Sequence, residues 1–233
     1  ADDDGNQLEL YGGGTFVDLG LASQNIFRDL RDNPSPLHGI DLFENAGRAI
    51  FKLNNNQTFL NMADIESVDV NALGGADQVF INNQADAAGQ DAFFPITPGT
   101  DLFHTSLQSV HVDLGANDNA ADNVEVHGRL GEDNIDATLR NHAIDVAGFH
   151  YGVRVVNSRA TYDELLIHGQ SGNDDIKVAS GVENSIAVTL NGDEGNDFLS
   201  ADAILNGGPG NDFLEGGLGE DTLNGGPGED LMI

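Results

Sequence analysis

Apolar residues occur along the chain in short groups where they alternate with polar ones. In the C-terminal part each group follows a turn-forming stretch. Residues 207–215 have the sequence GGPGNDFLE, and residues 216–224 have the sequence GGLGEDTLN. Alternation with a period of two is typical of a β-strand that buries one face. Because one such unit cannot bury its apolar side chain alone, the pattern predicts short strands that stack on one another.

Three of these units follow one another without a gap, with the pattern G-G-x-G-x-D-x-U-x, where U is apolar. They begin at Gly207, Gly216 and Gly225, and a fourth unit with one glycine changed begins at Gly192. If two units make one turn of a parallel coil, the loops that begin at Gly207 and Gly225 lie above one another. Stacked loops bring carboxylate and carbonyl oxygens together, and these are the ligands that calcium prefers.

The four units resemble the haemolysin-type calcium-binding repeats, or RTX repeats, of secreted bacterial proteins. The resemblance covers residues 192–233 and implies a parallel β-roll, Ca2+ as the cofactor, an extracellular location and folding that depends on calcium. The residues at the sixth repeat position, which the resemblance makes calcium ligands, are Asp197, Asp212, Asp221 and Asp230. The glycines that it adds to the metal sites are Gly195, Gly207, Gly208, Gly210, Gly216, Gly217, Gly219, Gly225, Gly226 and Gly228. A glycine-rich turn that holds no metal is the alternative interpretation.

The order of the loops assigns these aspartates to two edges of the coil. Because successive loops alternate between the edges, Asp197, Asp212 and Asp230 are expected at one edge. Asp221 is expected at the other, together with Asp202. Stacked carboxylates repel one another unless a cation lies between them, which favours a metal site over an empty turn.

The same rhythm continues upstream in a degenerate form. Residues 124–135 and 165–178 match when Asp133 is aligned with Asp174, and this alignment places both residues at the position of the ligand aspartate. Asp133 and Asp174 are therefore candidate calcium ligands, and the alternative is that each of them caps a turn.

A second pair of segments, residues 65–71 and 107–113, matches when Ser67 is aligned with Ser109. We interpret a period of 41–42 residues as two coils of about 20–21 residues each. The chain is therefore predicted to be all-β. An irregular right-handed parallel β-helix, a solenoid, is expected over residues 61–191, and it runs into the β-roll of residues 192–233.

Residues 1–60 show no repeat, and we expect them to form a cap or an interface region. Within them, residues 21–33 and 42–53 have apolar residues at helical spacing. This spacing predicts one or two short helices near the N-terminus, which would cover the exposed strand edge at the end of the solenoid.

The charge of the chain restricts its partners. It has 39 Asp and Glu against 9 Lys and Arg, a formal net charge of −30, and it has no cysteine. Binding to nucleic acid or to an anionic membrane requires basic patches, so neither is expected as a partner. No apolar run approaches the ~20 residues of a membrane-spanning helix, and we expect no membrane insertion. Thiolate metal sites are excluded because there is no cysteine.

Two of the seven histidines, His127 and His168, occupy equivalent positions when Asp133 is aligned with Asp174. In a stacked solenoid they would lie in one column, where they could serve a metal or a reaction. A repeat position inherited from a common ancestor is the other interpretation. The chain contains no H-E-x-x-H and no G-x-S-x-G motif, so we predict no catalytic residues and no enzymatic activity.

The last perfect repeat reaches Ile233, where the chain as given ends. From the uncovered strand edge we expect subunits to stack head-to-tail into a homopolymer, as an extracellular filament, sheath or surface layer. The expected role is thus that of a secreted or cell-surface calcium-binding structural protein. Two alternatives stay open: a calcium-binding module of a larger adhesin, and a β-helix lyase or epimerase that acts on an extracellular polysaccharide.

Overall fold

The structure of the chain is a computed structural model that describes eight stretches of residues. They are residues 7–11, 38–45, 48–53, 58–62, 67–71, 76–82, 107–115 and 120–233. Within them, no helix is long and apolar enough to cross a membrane.

Nineteen strands account for most of the described residues. The strands that precede the longest described stretch are β1 (Gln7–Tyr11), β2 (His38–Asn45), β3 (Arg48–Leu53), β4 (Thr58–Met62), β5 (Ser67–Asn71), β6 (Asp77–Ile81) and β7 (Ser109–Asp113). The strands within residues 120–233 are β8 (Asn123–His127), β9 (Asn134–Arg140), β10 (Ala143–Ala147), β11 (Gly152–Val156), β12 (Glu164–His168), β13 (Asp175–Val178), β14 (Ala187–Asn191), β15 (Phe198–Ser200), β16 (Ile204–Asn206), β17 (Phe213–Glu215), β18 (Thr222–Asn224) and β19 (Leu231–Met232). A 3-10 turn, Val182–Asn184, separates β13 from β14.

The strands form two sheets, and most neighbours are parallel. Sheet 1 has the order β1-β5-β7-β11-β10-β9-β13-β15-β17-β19, and sheet 2 has the order β18-β16-β14-β12-β8-β6-β2-β3-β4. From β11 onward, each strand lies in the opposite sheet to the strand that follows it. The prediction of an all-β chain is therefore confirmed for the described residues.

Two antiparallel meanders, β2-β3-β4 and β9-β10-β11, interrupt the parallel order. β9 and β10 are joined by a tight turn in which Asn141 and His142 have φ angles of 51° and 62°. Such turns match the right-handed twist of the strands they connect. The second meander places β9 in sheet 1, next to β13 of the repeat region.

The prediction of a helix over residues 42–53 is wrong. These residues include the end of β2 and the whole of β3, which pair antiparallel with Leu42 opposite Phe51. Short apolar runs do not separate a helix from a strand by periodicity alone, and the β-branched and aromatic residues Phe43, Ile50 and Phe51 favour a strand. The helix predicted over residues 21–33 lies outside the described residues.

The register explains why the degenerate segments match, but the interpretation of each period as two coils is wrong. Ser67 lies opposite Ser109, and His127 lies opposite His168. Matching segments are thus direct neighbours in a sheet, and one period is one coil. The coil from His127 to His168 is long because it contains the β9-β10-β11 meander. Further along the chain the coils contain fewer residues. The register neighbours that follow His168 in the same column are Asn191, Asn206 and Asn224.

The core consists of columns of aliphatic side chains that point inward from the stacked strands. One column contains Ile135, Ile176, Leu199 and Leu214, which are register neighbours in sheet 1 and fully buried. Burial of one such side chain contributes about 1.5–3 kcal/mol. This packing fixes the loops between the strands in a stack, since each loop begins and ends on an aligned strand.

Candidate metal sites

Five glycine-rich loops lie above one another at the edge where the chain passes from sheet 2 to sheet 1. We call these loops the loop stack, and they are residues 128–133, 169–174, 192–197, 207–212 and 225–230. Backbone hydrogen bonds join them, as from the Gly169 N–H to the Asn191 carbonyl and from the Gly208 N–H to the Gly225 carbonyl. The loops therefore repeat one conformation at adjacent levels.

The sixth residue of every loop in this stack is an aspartate, and these aspartates form a continuous hydrogen-bonded ladder. In each step a backbone N–H donates to Oδ1 of the next aspartate, over 2.8, 2.8, 2.9 and 3.0 Å. The members of this aspartate ladder are, in order, Asp133, Asp174, Asp197, Asp212 and Asp230. The structure thus brings Asp197, Asp212 and Asp230 together at one edge and extends the series upstream to the two degenerate loops.

The second carboxylate oxygen is buried at three steps of the ladder. Oδ2 of Asp174, Asp197 and Asp212 has no hydrogen-bond partner among the described residues. A buried carboxylate oxygen without a partner is costly, since it has lost its hydration and gained no hydrogen bond in return. These oxygens require a proton or a cation.

Each unpartnered oxygen lies beside a backbone carbonyl in a space that only glycine leaves open. A Cβ atom at Gly207 would overlap Oδ2 of Asp212 and would lie 2.6 Å from the carbonyl oxygen of Gly225. At Gly192 it would meet Oδ2 of Asp197 and the carbonyl oxygen of Gly207 in the same way. A carboxylate oxygen and a carbonyl oxygen from adjacent loops therefore face the same small space.

The electrostatics of the ladder agree with this geometry. Burial raises the pKa of Asp174 to about 7 and that of Asp197 to about 6, although a backbone N–H opposes the shift in each case. Burial also raises the pKa of Asp212, and the neighbouring carboxylate of Asp230 adds to the effect. The charged form of these groups is thus disfavoured unless a positive charge lies close to them.

The residues present fit calcium. Carboxylate and carbonyl oxygens from two adjacent loops are the hard oxygen ligands that Ca2+ requires. The aspartates that would hold it are Asp174, Asp197, Asp212 and Asp230, and the carbonyls are those of Gly192, Gly207 and Gly225. The sequence did not single out Gly192 as a ligand, although it is the first residue of a repeat as Gly207 and Gly225 are.

The fourth residues of the loops form a second column of glycines. A Cβ atom at Gly210 would overlap the carbonyl oxygen of Gly195, and one at Gly228 would overlap that of Gly210. The second-position glycines Gly208 and Gly226 adopt φ angles of 104° and 90°, which favour glycine. These glycines thus allow the close approach of the loops.

Asp133 differs from the other members of the aspartate ladder because its carboxylate forms an ion pair with the guanidinium group of Arg129. The Arg129 backbone N–H donates to Oδ2 of Asp133 and its Nε–H donates to Oδ1, both over 2.6 Å. Of the two interpretations of Asp133, this contact favours the turn cap, whereas Asp174 keeps an unpartnered oxygen.

The remaining predicted ligand, Asp221, lies at the opposite edge, as expected. Its Oδ1 accepts the Ala203 N–H over 2.8 Å, while Oδ1 of Asp202 accepts the Leu218 N–H over 2.6 Å. Asp202 contacts the repeat loop that leads to Asp221. A Cβ atom at Gly217 in that loop would overlap Oδ1 of Asp202. The predicted glycines Gly216 and Gly219 belong to the same loop. Asp202 and Asp221 therefore join two successive loops at this edge.

Sequence reasoning missed a second aspartate ladder further upstream on that edge. The Asp77 N–H donates to Oδ1 of Asp122 over 2.9 Å, and the Asp122 N–H donates to Oδ1 of Asp163 over 3.3 Å. The available signal was that Asp122 aligns with Asp163 when Asp133 is aligned with Asp174. Arg159 donates its backbone N–H to Oδ2 of Asp163, as Arg129 does to Asp133.

The two equivalent histidines lie in contact. The rings of His127 and His168 stack with centroids 4.6 Å apart and planes 6° apart. Burial lowers the pKa of His127 to about 4. Burial also acts to lower the pKa of His168, but hydrogen bonds to Asp193 and Glu125 outweigh it and raise that pKa to about 9. One ring is therefore neutral and the other is cationic near pH 7.

Comparison with known proteins gives one match. The family model of the RTX calcium-binding nonapeptide repeat matches four copies, over residues 187–203 and 200–232. No curated protein and no solved structure matches the chain. The matched residues contain three loops of the loop stack, together with the loop that carries Asp221 at the other edge. Residues 187–232 are therefore RTX calcium-binding nonapeptide repeats, and their cofactor is Ca2+.

Proposed function

We propose that the chain is an extracellular structural protein whose parallel β-solenoid forms when calcium binds its loop stack. In this proposal a right-handed parallel β-helix runs into the β-roll of the repeats. The observation that carries the proposal is the set of buried, unpartnered Oδ2 atoms on Asp174, Asp197 and Asp212. RTX repeats supply the calcium chemistry, and proteins with these repeats are typically secreted.

The proposed mechanism is a balance between packing and charge. Without a cation, the carboxylates of Asp174, Asp197, Asp212 and Asp230 oppose the stacking of their loops. These carboxylates would hold calcium, which would supply the compensating positive charge and allow the strands that flank the loops to pack the aliphatic column of sheet 1 into the core. Because calcium binds the stacked loops and not the unfolded chain, its binding free energy stabilises the fold.

The proposal is tested by a calcium titration of the full chain. Far-ultraviolet circular dichroism follows strand formation from chelator to about 5 mM calcium, a range that covers the affinities of about 10⁻⁴–10⁻³ M found in extracellular modules. We expect strand signal to appear with calcium and to disappear when chelator is added back. Identical spectra in both conditions would contradict coupled folding.

A matched pair of variants assigns the effect to the aspartate ladder. Asp197→Asn keeps the Oδ1 acceptor for the Asp174 N–H and removes the charge, so it should raise the calcium midpoint. Asp136→Asn removes the same charge from an exposed position on β9 and should leave the midpoint unchanged. Equal shifts in both variants would mean that net charge, and not the loop stack, controls folding.

Self-assembly is a second part of the proposal. β19 pairs with β17 on one side, and it exposes Leu231 and Met232 at 54% and 47%. A further chain that adds its strands there would cover these side chains and extend the loop stack. Analytical ultracentrifugation in calcium tests this, with Leu231→Lys as the variant. We expect calcium-dependent polymers in the parent chain, and monomers in both conditions would contradict assembly.

The enzymatic alternative calls for a different readout. A lyase or epimerase of the β-helix type would act on an acidic polysaccharide, and the net charge of −30 opposes the approach of such a polymer. We therefore propose a structural role without catalysis. Turnover of pectate or alginate by the calcium-loaded chain would overturn it.

A further inference from the structure

A group of side chains separate from the aspartate ladder carries an inference of its own. Glu125, His127 and His168 each offer one ligand atom, and the three atoms lie within 4.8 Å of one another. The group lies at the ends of β8 and β12 in sheet 2, where the two histidines are register neighbours. We propose that Glu125, His127 and His168 form a binding site for a transition-metal dication of the zinc class.

The first support is the state of His127. Only 5% of this residue is exposed, and its Nε2 has no hydrogen-bond partner among the described residues. A buried ring nitrogen without a partner is costly in a folded protein. Imidazole nitrogens are preferred ligands of zinc, copper and nickel, so this nitrogen has the chemistry of a ligand.

The second support is the way in which the two rings are held. Metal-binding histidines commonly hydrogen-bond through the ring nitrogen that does not bind the metal, which fixes the ring and its tautomer. His168 has Oδ2 of Asp193 3.2 Å from Nδ1, while Oε1 of Glu125 lies 3.2 Å from Nε2. For His127, the side-chain amide nitrogen of Gln170 lies 2.7 Å from Nδ1 and donates to it. Metal binding at Nε2 requires this amide to turn over, so that its oxygen accepts a hydrogen bond from the Nδ1–H. Both Nδ1 atoms are thus held. Nε2 of His127 has no partner among the described residues, and Nε2 of His168 would become a ligand by exchanging its contact with Glu125 for the metal.

The charge around the site favours a dication over a proton. Two carboxylates, those of Glu125 and Asp193, contact the single cationic ring of His168. A dication in place of the His168 proton would balance the negative charges of both carboxylates, and Glu125 would then serve as the carboxylate ligand. Two Zn–N bonds of about 2.1 Å would require the nitrogens to lie within about 4.2 Å of each other, so the two stacked rings would have to tilt toward one another on binding.

The site also lies next to the first RTX repeat. Asp193, which holds His168, is the second residue of loop 192–197, and its carboxylate accepts the Gln170 N–H over 3.2 Å. The oxygen-only chemistry of the loop stack and the nitrogen-containing chemistry of this site suit different metals. The two kinds of site can therefore be loaded and tested separately.

The test is a zinc titration of the full chain held in excess calcium. Isothermal titration calorimetry should give one saturable zinc site, and NMR of the imidazole nitrogens should show the Nε2 signals of His127 and His168 shifting. The variants His127→Asn and His168→Asn should each weaken zinc binding about tenfold or more. Asparagine suits this column because it occupies the next positions, Asn191 and Asn206.

Two controls make the outcome decisive. His111→Asn removes a half-exposed histidine on β7 that pairs with Asp69, and it should leave zinc affinity unchanged. Each asparagine variant should keep the calcium midpoint of the parent chain, which shows that it folds. Zinc binding that survives in His127→Asn and His168→Asn, or that excess calcium abolishes, would overturn the proposal.

Discussion

The backbone N–H of Asp197 donates to Oδ1 of Asp212 over 2.9 Å, although the two residues belong to different repeat loops. The bond uses one carboxylate oxygen to hold the loops together and leaves Oδ2 of Asp212 facing the carbonyl oxygen of Gly225 beside Gly207. The same aspartate thus has two tasks. One oxygen sets the spacing of the loops, and the other is available to a cation.

This division of tasks predicts the effect of Asp212→Asn. The amide oxygen of asparagine still accepts the Asp197 N–H, but the charge of the second oxygen is lost. We expect the calcium midpoint to rise about tenfold, which corresponds to about 1.4 kcal/mol. In chelator the variant should be more stable than the parent chain, because one of the carboxylates that oppose the stacking of the loops has lost its charge. Calcium titrations of the variant and of Asp136→Asn measure this. A variant that binds calcium as the parent chain does would exclude Asp212 as a ligand.

The column of fourth-position glycines predicts a strong effect of Gly210→Ala. A Cβ atom there would overlap the carbonyl oxygen of Gly195 in the adjacent loop. The substitution should therefore lower the free energy of unfolding in calcium by at least about 1 kcal/mol. The matched control is Gly131→Ala, at the same position of a degenerate loop, where a Cβ atom meets nothing within 4 Å. Urea unfolding of both variants compares them, and equal losses would argue against close stacking of the loops.

Asp133 should behave differently from the rest of the aspartate ladder. Because Arg129 donates to both of its oxygens, Asp133→Asn should leave the number of bound calcium ions unchanged. The lost charge-assisted hydrogen bonds should lower the free energy of unfolding by about 1–3 kcal/mol. Calorimetric counting of calcium measures this, and the loss of one ion in Asp133→Asn would make Asp133 a ligand.

The raised pKa values of Asp174 and Asp197 predict opposite pH dependences with and without calcium. Because burial raises these pKa values to about 7 and about 6, the folded chain binds protons more tightly than the unfolded chain, whose carboxyls titrate near pH ~4. In chelator, the contribution of these groups to stability is therefore highest at the acid end of the window from pH ~4 to about 7. It is lost as the pH rises through that window.

In calcium the dependence reverses, since the metal binds the deprotonated carboxylates. The apparent calcium affinity should fall as the pH is lowered from about 7 to about 6. Thermal unfolding in chelator and calcium titrations at several pH values measure the two arms. A calcium affinity that stays constant from pH 8 to pH 5 would contradict the involvement of these two aspartates.

The aliphatic columns predict a large effect of Leu199→Ala. Leu199 is fully buried between Ile176 and Leu214, and its truncation should cost about 2–5 kcal/mol. Leu218 is 93% exposed in a repeat loop, so Leu218→Ala should change stability by less than about 0.5 kcal/mol. Urea unfolding in calcium compares the two, and similar losses would mean that the repeats do not share one core.

The local rules of the repeats predicted a large part of this structure. Asp197, Asp212 and Asp230 were predicted to lie at one edge, and they do. The signals were the glycines at the first and fourth repeat positions, the aspartate at position six and the apolar residue at position eight. The alignment of the two degenerate segments correctly paired His127 with His168. These predictions work because each unit specifies its own turn and needs its neighbours only for burial.

The length of a coil could not be obtained in this way. The step from His127 to His168 contains the β9-β10-β11 meander, whereas the step from Asn191 to Asn206 contains a single strand of sheet 1. Only the pairing of strands separates a long coil from two short ones. The helix predicted over residues 42–53 was wrong for a similar reason, because tertiary pairing overrides a short periodic pattern.

The ion pair of Asp133 was also beyond the sequence pattern. Arg129 occupies the second loop position, where the other loops of the loop stack have Gln170, Asp193, Gly208 and Gly226. A basic residue at this position is the signal that separates a turn closed by the chain itself from one that can take a metal. Its meaning became clear only from the two contacts of 2.6 Å.

Hydrogen exchange at the ladder amides tests the central claim most directly, because the backbone N–H groups of Asp174, Asp197 and Asp212 form the steps between loops. If calcium holds the loop stack together, these amides should exchange fast in chelator and become protected at about 5 mM calcium. In Asp212→Asn, protection should appear only at higher calcium. Equal protection of these amides in chelator and in calcium would contradict the account.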